Sequence, residues 1–73
     1  MNANEWLAAF ATRIGGEPPS TEEFKLILDL AGVAAHSSER VAAPAACWVA
    51  ANVGVDLSVA LEAARALEVP ADD

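Results

Sequence analysis

The chain has few basic residues, and this scarcity excludes the classes of partner that need them. Its 73 residues include four Lys or Arg against eleven Asp or Glu, which gives a net charge of −7. Four positive side chains neutralise few phosphates, so we expect neither nucleic acid nor an anionic membrane surface as a partner. The longest apolar run, from Val41 to Ala51, is also too short to span a bilayer.

Cysteine and histidine are scarcer still, with one of each, Cys47 and His36. A single cysteine excludes an internal disulfide and a cysteine-based metal site, which fits a reducing cytoplasm. No second His or Cys lies near His36 at helical spacing, and a metal site needs three or four ligands, so we expect no metal and no cofactor. The first residues contain Glu5 and no basic segment, which predicts no signal peptide and a soluble cytoplasmic protein.

The length predicts a single helical domain over residues 1–73, since independent domains usually run to ~100–150 residues. The apolar fraction is 55%, but much of it is alanine, which buries little area per residue. The hydrophobic core is therefore expected to be thin. A monomer and a homodimer stabilised by self-association are both consistent with such a core.

The spacing of apolar residues predicts an all-α fold, a small bundle of four short antiparallel helices at about 3–14, 20–42, 44–53 and 57–68. In the first helix, Trp6, Phe10 and Ile14 follow one another at intervals of four residues and form one apolar stripe. Gly15 and Gly16 end that helix, because glycine adopts the left-handed C-cap conformation cheaply.

Capping residues predict where the helices begin. Asn2 or Asn4 is a candidate N-cap for the first helix, and Ser20 with Glu23 has the spacing of a capping box for the second. Asp56 is the candidate N-cap of the fourth helix. In that last helix we expect Leu57, Ala60, Leu61, Ala64 and Leu67 to face inward, with Glu62 and Arg65 outside as an ion pair.

The second helix has a predicted buried face made of Phe24, Ile27, Leu28, Ala31, Ala34 and Ala35. Gly32 costs this helix about 1 kcal/mol relative to alanine, which predicts close contact with another helix there.

Two endings are open for the second helix. It stops near His36, with Ser37 or Ser38 capping a new helix, or it continues to about Ala42 and breaks before Pro44. Proline deep inside a helix costs ~3 kcal/mol, which favours the later break and places Pro44 at the first position of the third helix. We expect Trp6 and Trp48 to be core anchors, because the chain has so few large side chains; an interface hot spot is the alternative for them. Cys47 lies in an alanine-rich apolar run and is expected to be a buried small hydrophobe.

His36 and Arg40 are the candidate binding residues. A helix continuing past His36 would place Asp29, Val33, His36 and Arg40 on one stripe. Histidine titrates near neutral pH and arginine pairs with carboxylates and phosphates. In so acidic a chain, the default expectation for Arg40 is an ion pair with a neighbouring carboxylate. No nucleophile, base and orienting acid occur together, so we expect no catalysis.

The central segment resembles a known family. Leu28-Asp29-Leu30-Ala31, Ala35-His36, Glu39-Arg40 and Ala43-Pro44 resemble a small actinobacterial helical domain family of unknown function. Its members occur alone or fused behind molybdenum cofactor guanylyltransferase, which joins a guanine nucleotide to molybdopterin. The Trp6-Leu7 start of the first helix is also similar to this family, whereas Ala45 stands where a longer aliphatic residue is usual.

The resemblance implies a non-catalytic accessory or interaction domain associated with molybdenum cofactor biosynthesis. Its implied partner is the guanylyltransferase or a second copy of the chain, and His36, Arg40, Asp29 and Pro44 are the candidate partner-binding residues. Two alternatives stay open. One is a small-ligand or anion-binding domain using His36 and Arg40, helped by backbone N–H groups exposed at a helix break near Pro44. The other is a structural homo-oligomer.

Overall fold

A computed structural model describes residues 1–68, and these form four α-helices with no β-strand among them. The helices are α1 (Ala3–Arg13), α2 (Thr21–Ser37), α3 (Ala42–Val53) and α4 (Leu57–Arg65). The predicted all-α fold is therefore confirmed. No helix within this range combines the length and the apolarity needed to cross a bilayer.

Capping boxes begin the first two helices; the one at Ser20 was predicted, and at the first helix Asn2 is the N-cap of the two candidates. The Glu5 backbone N–H donates to Asn2 Oδ1 at 2.8 Å, and the Asn2 N–H donates to Glu5 Oε1 at 2.9 Å. Ser20 and Glu23 make the same reciprocal pair of bonds at 3.1 and 2.8 Å. Each box satisfies backbone donors that the first helical turn leaves unpaired. Asp56 precedes α4, but its side chain makes no capping bond.

Left-handed glycines follow α1 and α3. Gly15 has φ of +84° and Gly54 has φ of +85°, a conformation that costs glycine little because it lacks a Cβ atom. The predicted glycine stop of α1 is thereby confirmed.

The predicted boundary between α2 and α3 is wrong. Helix α2 ends at Ser37 and not near residue 42, and the Ser38 N–H donates to the Ala34 carbonyl at 3.1 Å. Helix α3 begins at Ala42 and not at 44, so Pro44 occupies its third position. Proline fits there because the first N–H groups of a helix have no partner within the helix. The cost of an interior proline therefore does not apply, and α2 is free to end earlier.

Helix α2 is the centre of the packing, since both α3 and α4 pack against it. Leu30, Ala50 and Leu61, one from each helix, form a buried cluster. Around them lie the partly buried residues Leu26, Val33, Cys47, Ala60 and Ala64. The core of residues 1–68 thus uses medium-sized aliphatic side chains and none of the aromatic ones.

The most buried side of α2 lies beside the predicted face, whose residues are half-buried except for the exposed Leu28. Leu30, absent from the predicted face, is 3% exposed, whereas Leu28 is 56% exposed. Leu26, Leu30 and Val33 are large and share one side of the helix, so burying that side removes more apolar area than burying the alanine-rich side. The close helix contact predicted at Gly32 is also absent, because a Cβ there would meet nothing within 4 Å.

Both tryptophans lie on the surface, which corrects their assignment to the core. Trp6 is 53% and Trp48 66% exposed. Leu67 is exposed as well, because α4 ends at Arg65 and not at 68. The predicted ion pair between Glu62 and Arg65 does not form, since the salt bridge found within residues 1–68 joins Lys25 and Asp29.

Helix α1 does not share in the packing around α2. Its one buried residue is Ala11, whose carbonyl accepts the Gly16 N–H at 2.8 Å. Trp6 and Phe10 stack on the helix surface, with ring centroids 5.1 Å apart and planes inclined by 16°. The predicted apolar stripe of α1 exists, but it faces outward.

Cys47 is half-buried, in agreement with its assignment to the core. Its Sγ lies 4.0 Å from the carbonyl oxygen of Ile27, within reach of a weak S–H hydrogen bond. Burial raises the pKa of the thiol above its ordinary value, because desolvation penalises the thiolate. The side chain therefore behaves as a small hydrophobe at neutral pH.

Replacing Leu30 by alanine should destabilise the fold by about 2–5 kcal/mol, because the change leaves a cavity at the contact of three helices. Leu28→Ala, the same change on the exposed side of α2, should cost less than ~1 kcal/mol. Urea unfolding followed by circular dichroism at ~1 µM protein, where any self-association contributes least, measures both. Equal losses in the two variants would contradict the assignment of the buried face.

Cys47 should react slowly with iodoacetamide near pH 8, because its raised pKa lowers the fraction of reactive thiolate. The same chain unfolded in urea provides the control and should react several-fold faster. The pKa of the Cys47 thiol is higher in the folded chain than in the unfolded chain. The free energy of unfolding is therefore unaffected by this group below the unfolded pKa, and it falls as pH rises from there through the folded pKa. Equal alkylation rates in the folded and unfolded chains would rule out a desolvated thiol.

Candidate functional site

The structure separates His36 from Arg40. His36 lies in the last turn of α2, and Arg40 lies in the turn before α3, both exposed to solvent. Because α2 ends at Ser37, the two side chains do not continue one helical stripe. The predicted alignment of Asp29, Val33, His36 and Arg40 is therefore wrong at its last member.

Asp29 has a partner other than His36. Its Oδ2 lies 3.7 Å from Lys25 Nζ, one helical turn earlier. The pair is well exposed, with 80% of the Lys25 side chain accessible, so it contributes only tenths of a kcal/mol. Asp29 therefore neither orients His36 nor pairs with Arg40.

Arg40 has no ion pair within residues 1–68, so the expected structural salt bridge does not form. The turn holding it is closed by backbone bonds, from the Ala42 N–H to the Glu39 carbonyl at 2.9 Å and from the Ala43 N–H to the Arg40 carbonyl at 3.1 Å. The Arg40 guanidinium group therefore forms no salt bridge with a carboxylate of residues 1–68.

The start of α3 offers little to an anion. The N–H groups of Ala42 and Ala43 are already bonded to carbonyls of the preceding turn, and Pro44 has no N–H group. An anion at a helix N-terminus needs unpaired N–H groups. The backbone donors expected beside Pro44 are therefore not available.

Pro44 belongs to an apolar surface. Val41, Pro44, Ala45 and Trp48 are all exposed, and their spacing places them on one side of α3. We call these four residues the outer α3 face. It lies opposite the buried Ala50, because Trp48 is two residues, or about 200°, away from that position.

Helix α3 carries no charged side chain, and Asn52 is its one strongly polar residue. Its inner side packs on α2, so its apolar surface continues from the core to solvent. A helix that is apolar all round is usually buried in a larger structure. The outer α3 face is the strongest candidate for a binding surface on α3, and Arg40 lies at its edge.

Two clefts of the molecule are lined without charged side chains. One of about 170 Å³ lies between α1 and the start of α2, lined by Leu7, Pro19 and Phe24 among others. Another of about 330 Å³ adjoins Cys47 and Leu57. Neither is lined by a charged residue, and no three His, Cys, Asp or Glu residues within 1–68 are arranged to hold a metal ion.

Sequence reasoning found Arg40 and Pro44 but missed Val41 and Trp48. Their signal is present, since positions 41, 44, 45 and 48 have the spacing of one helical face. It was masked because the inner residues of α3, such as Ala46 and Cys47, give an equally apolar pattern. Without a charged residue to mark the solvent side, the two faces look alike.

Of the comparisons with known proteins, only the one with protein-family models gives a match. No curated protein and no solved structure matches it. A family model described as Domain of unknown function (DUF6457) matches residues 1–71, which include all four helices. The expected membership in a family of unknown function is thereby confirmed: the chain belongs to the DUF6457 family.

Proposed function

We propose that this protein is a non-catalytic interaction domain that acts in molybdenum cofactor biosynthesis by docking on the molybdenum cofactor guanylyltransferase. The observation that carries the proposal is the outer α3 face, an exposed apolar surface on a helix without charges. The partner is inferred from the resemblance of the segment from Leu28 to Pro44. That segment ends inside the outer α3 face.

Trp48 is the expected anchor of the contact. It is 66% exposed, and tryptophan is among the residues that contribute most to protein interfaces when they enter a pocket on the partner. Val41, Pro44 and Ala45 surround it with apolar area and carry no charge that binding would desolvate. Burial of this face on a partner would give α3 the environment that its composition favours.

Arg40 supplies orientation at the edge of the same face. It is exposed and has no carboxylate partner within residues 1–68, so no internal bond has to be broken before it binds. Arginine pairs with a carboxylate through two parallel hydrogen bonds, which fixes geometry as well as sign. At the rim it is expected to affect association rate and specificity more than total affinity.

The anion-binding alternative gains no support from the geometry. His36 and Arg40 lie on different elements, and the first backbone donors of α3 are already bonded or missing. A phosphate there would depend on exposed side chains alone, close to the negative charge of Glu39. Protein docking uses the same Arg40 together with an apolar surface that a small anion would leave exposed.

Trp48→Ala should weaken binding to the guanylyltransferase by at least ~2 kcal/mol, or about 30-fold, because it removes the anchor. Arg40→Ala should weaken it less and leave the melting temperature nearly unchanged. Isothermal titration calorimetry of the full chain against the guanylyltransferase measures both effects. Val59→Ala, an exposed apolar change on α4, is the control and should bind normally.

The proposal has two ways to fail. Absence of binding by the unmodified chain at ~50 µM would exclude a contact of useful strength. Binding that is unaffected by Trp48→Ala would show that another surface makes the contact.

A further inference from the structure

A second apolar surface, on α1, is independent of the outer α3 face. Trp6, Phe10 and Ile14, which we call the α1 stripe, are 53, 47 and 69% exposed. The neighbouring side of α1 is already occupied, because Ala11 is buried and Leu7 borders the cleft against Pro19. The stripe lies beside this contact and is left exposed by it.

The chain exposes more surface than a compact protein of its mass. Its accessible area is 5719 Å², whereas a compact monomer of this mass exposes about 4,200 Å². The five residues outside the described range would account for at most ~700 Å² of the difference, even fully extended. The remainder is close to the ~800 Å² that each partner buries in a standard protein interface.

We propose that two copies of this chain form a two-fold symmetric dimer in which the α1 stripe of each copy packs on the Leu28 side of α2 in the other. On α2 the receiving surface is the track of Leu28, Ala31, Gly32 and Ala35. The inference does not rest on the function proposed above, since it uses neither Trp48 nor Arg40.

The α2 track fits a helix in size and shape. Leu28 is 56% exposed, Ala31, Gly32 and Ala35 are half-buried, and a Cβ added at Gly32 would meet nothing within 4 Å. The track covers eight residues and the stripe nine, so their ends lie ~10 and ~12 Å apart along a helix. Large side chains from α1 would therefore lie along small residues of α2 over matching lengths.

Two dimers are possible, one with stripe packed on stripe and one with each stripe packed on the other chain's track, and they differ in the area that they bury. With its side chains about half exposed, the α1 stripe offers roughly 300–400 Å². Two stripes packed on each other would bury only that area per chain, about half of a standard interface. Reciprocal packing buries one stripe and one track on each chain, so it buries more area per chain than contact between two stripes does.

The charge distribution favours the same arrangement. Residues 1–16 carry two charged side chains, Glu5 and Arg13, and are neutral overall, so the whole net charge of −7 lies in residues 17–73. Contact between two helical cores would bring like charges together, whereas contact between α1 and the other core does not. Pro18 and Pro19 stiffen the connector and hinder α1 from folding back onto its own α2.

Sedimentation equilibrium of the full chain at ~1–500 µM, a range that covers micromolar dissociation constants, should show a monomer–dimer equilibrium. Phe10→Glu damages the stripe and Leu28→Glu damages the track, and each should weaken the dimer at least ~100-fold. Val59→Glu is the matched control, because it adds the same charge at a side chain 52% exposed. It should dimerise normally.

Mixing the two damaged variants gives the decisive result. Each variant alone forms a dimer with no intact contact, but a mixed dimer has one intact stripe on one intact track. An equimolar mixture of Phe10→Glu and Leu28→Glu should therefore associate more strongly than either variant alone. Circular dichroism checks that all variants keep their helices.

Three results would overturn the dimer. They are a monomer throughout the concentration range, a dimer indifferent to both substitutions, and a mixture that associates no better than its components. Trp48→Ala is expected to leave the dimer intact while it weakens docking on the guanylyltransferase. Failure of one proposal is thus visible separately from failure of the other.

Discussion

One helix face holds this protein together. Leu30 of α2, 3% exposed, contacts both Ala50 of α3 and Leu61 of α4, so the packing of two helices depends on one short row of aliphatic side chains. Within the contact of α2, α3 and α4 these side chains supply the buried apolar area. Three of the four aromatic residues, Trp6, Phe10 and Trp48, lie outside this arrangement and are exposed.

The elements that local chemistry controls are predictable from the sequence. The capping box of Ser20 and Glu23 and the left-handed stop at Gly15 each depend on a few neighbouring residues, and both are found as expected. The end of α2 was not predictable in this way. It depended on whether Pro44 falls in the first turn of α3, which no local signal fixes.

The buried face of α2 and the position of the tryptophans required knowledge of packing. A face with Leu28 and Ala35 and a face with Leu26 and Leu30 are both apolar in sequence, and only tertiary contact chooses between them. The same holds for Trp48, whose helix has no charge to mark its solvent side. Of the candidate site, the polar residue Arg40 could be found from the sequence, but the apolar surface beside it could not.

The capping box of Asn2 and Glu5 and the left-handed Gly15 also make α1 self-contained. Both ends of this helix satisfy their backbone groups with residues of its own segment. Moving α1 from one neighbour to another would therefore break none of its internal hydrogen bonds, and only side-chain packing would change. The hydrogen bonds of the α2 core likewise do not depend on where α1 lies.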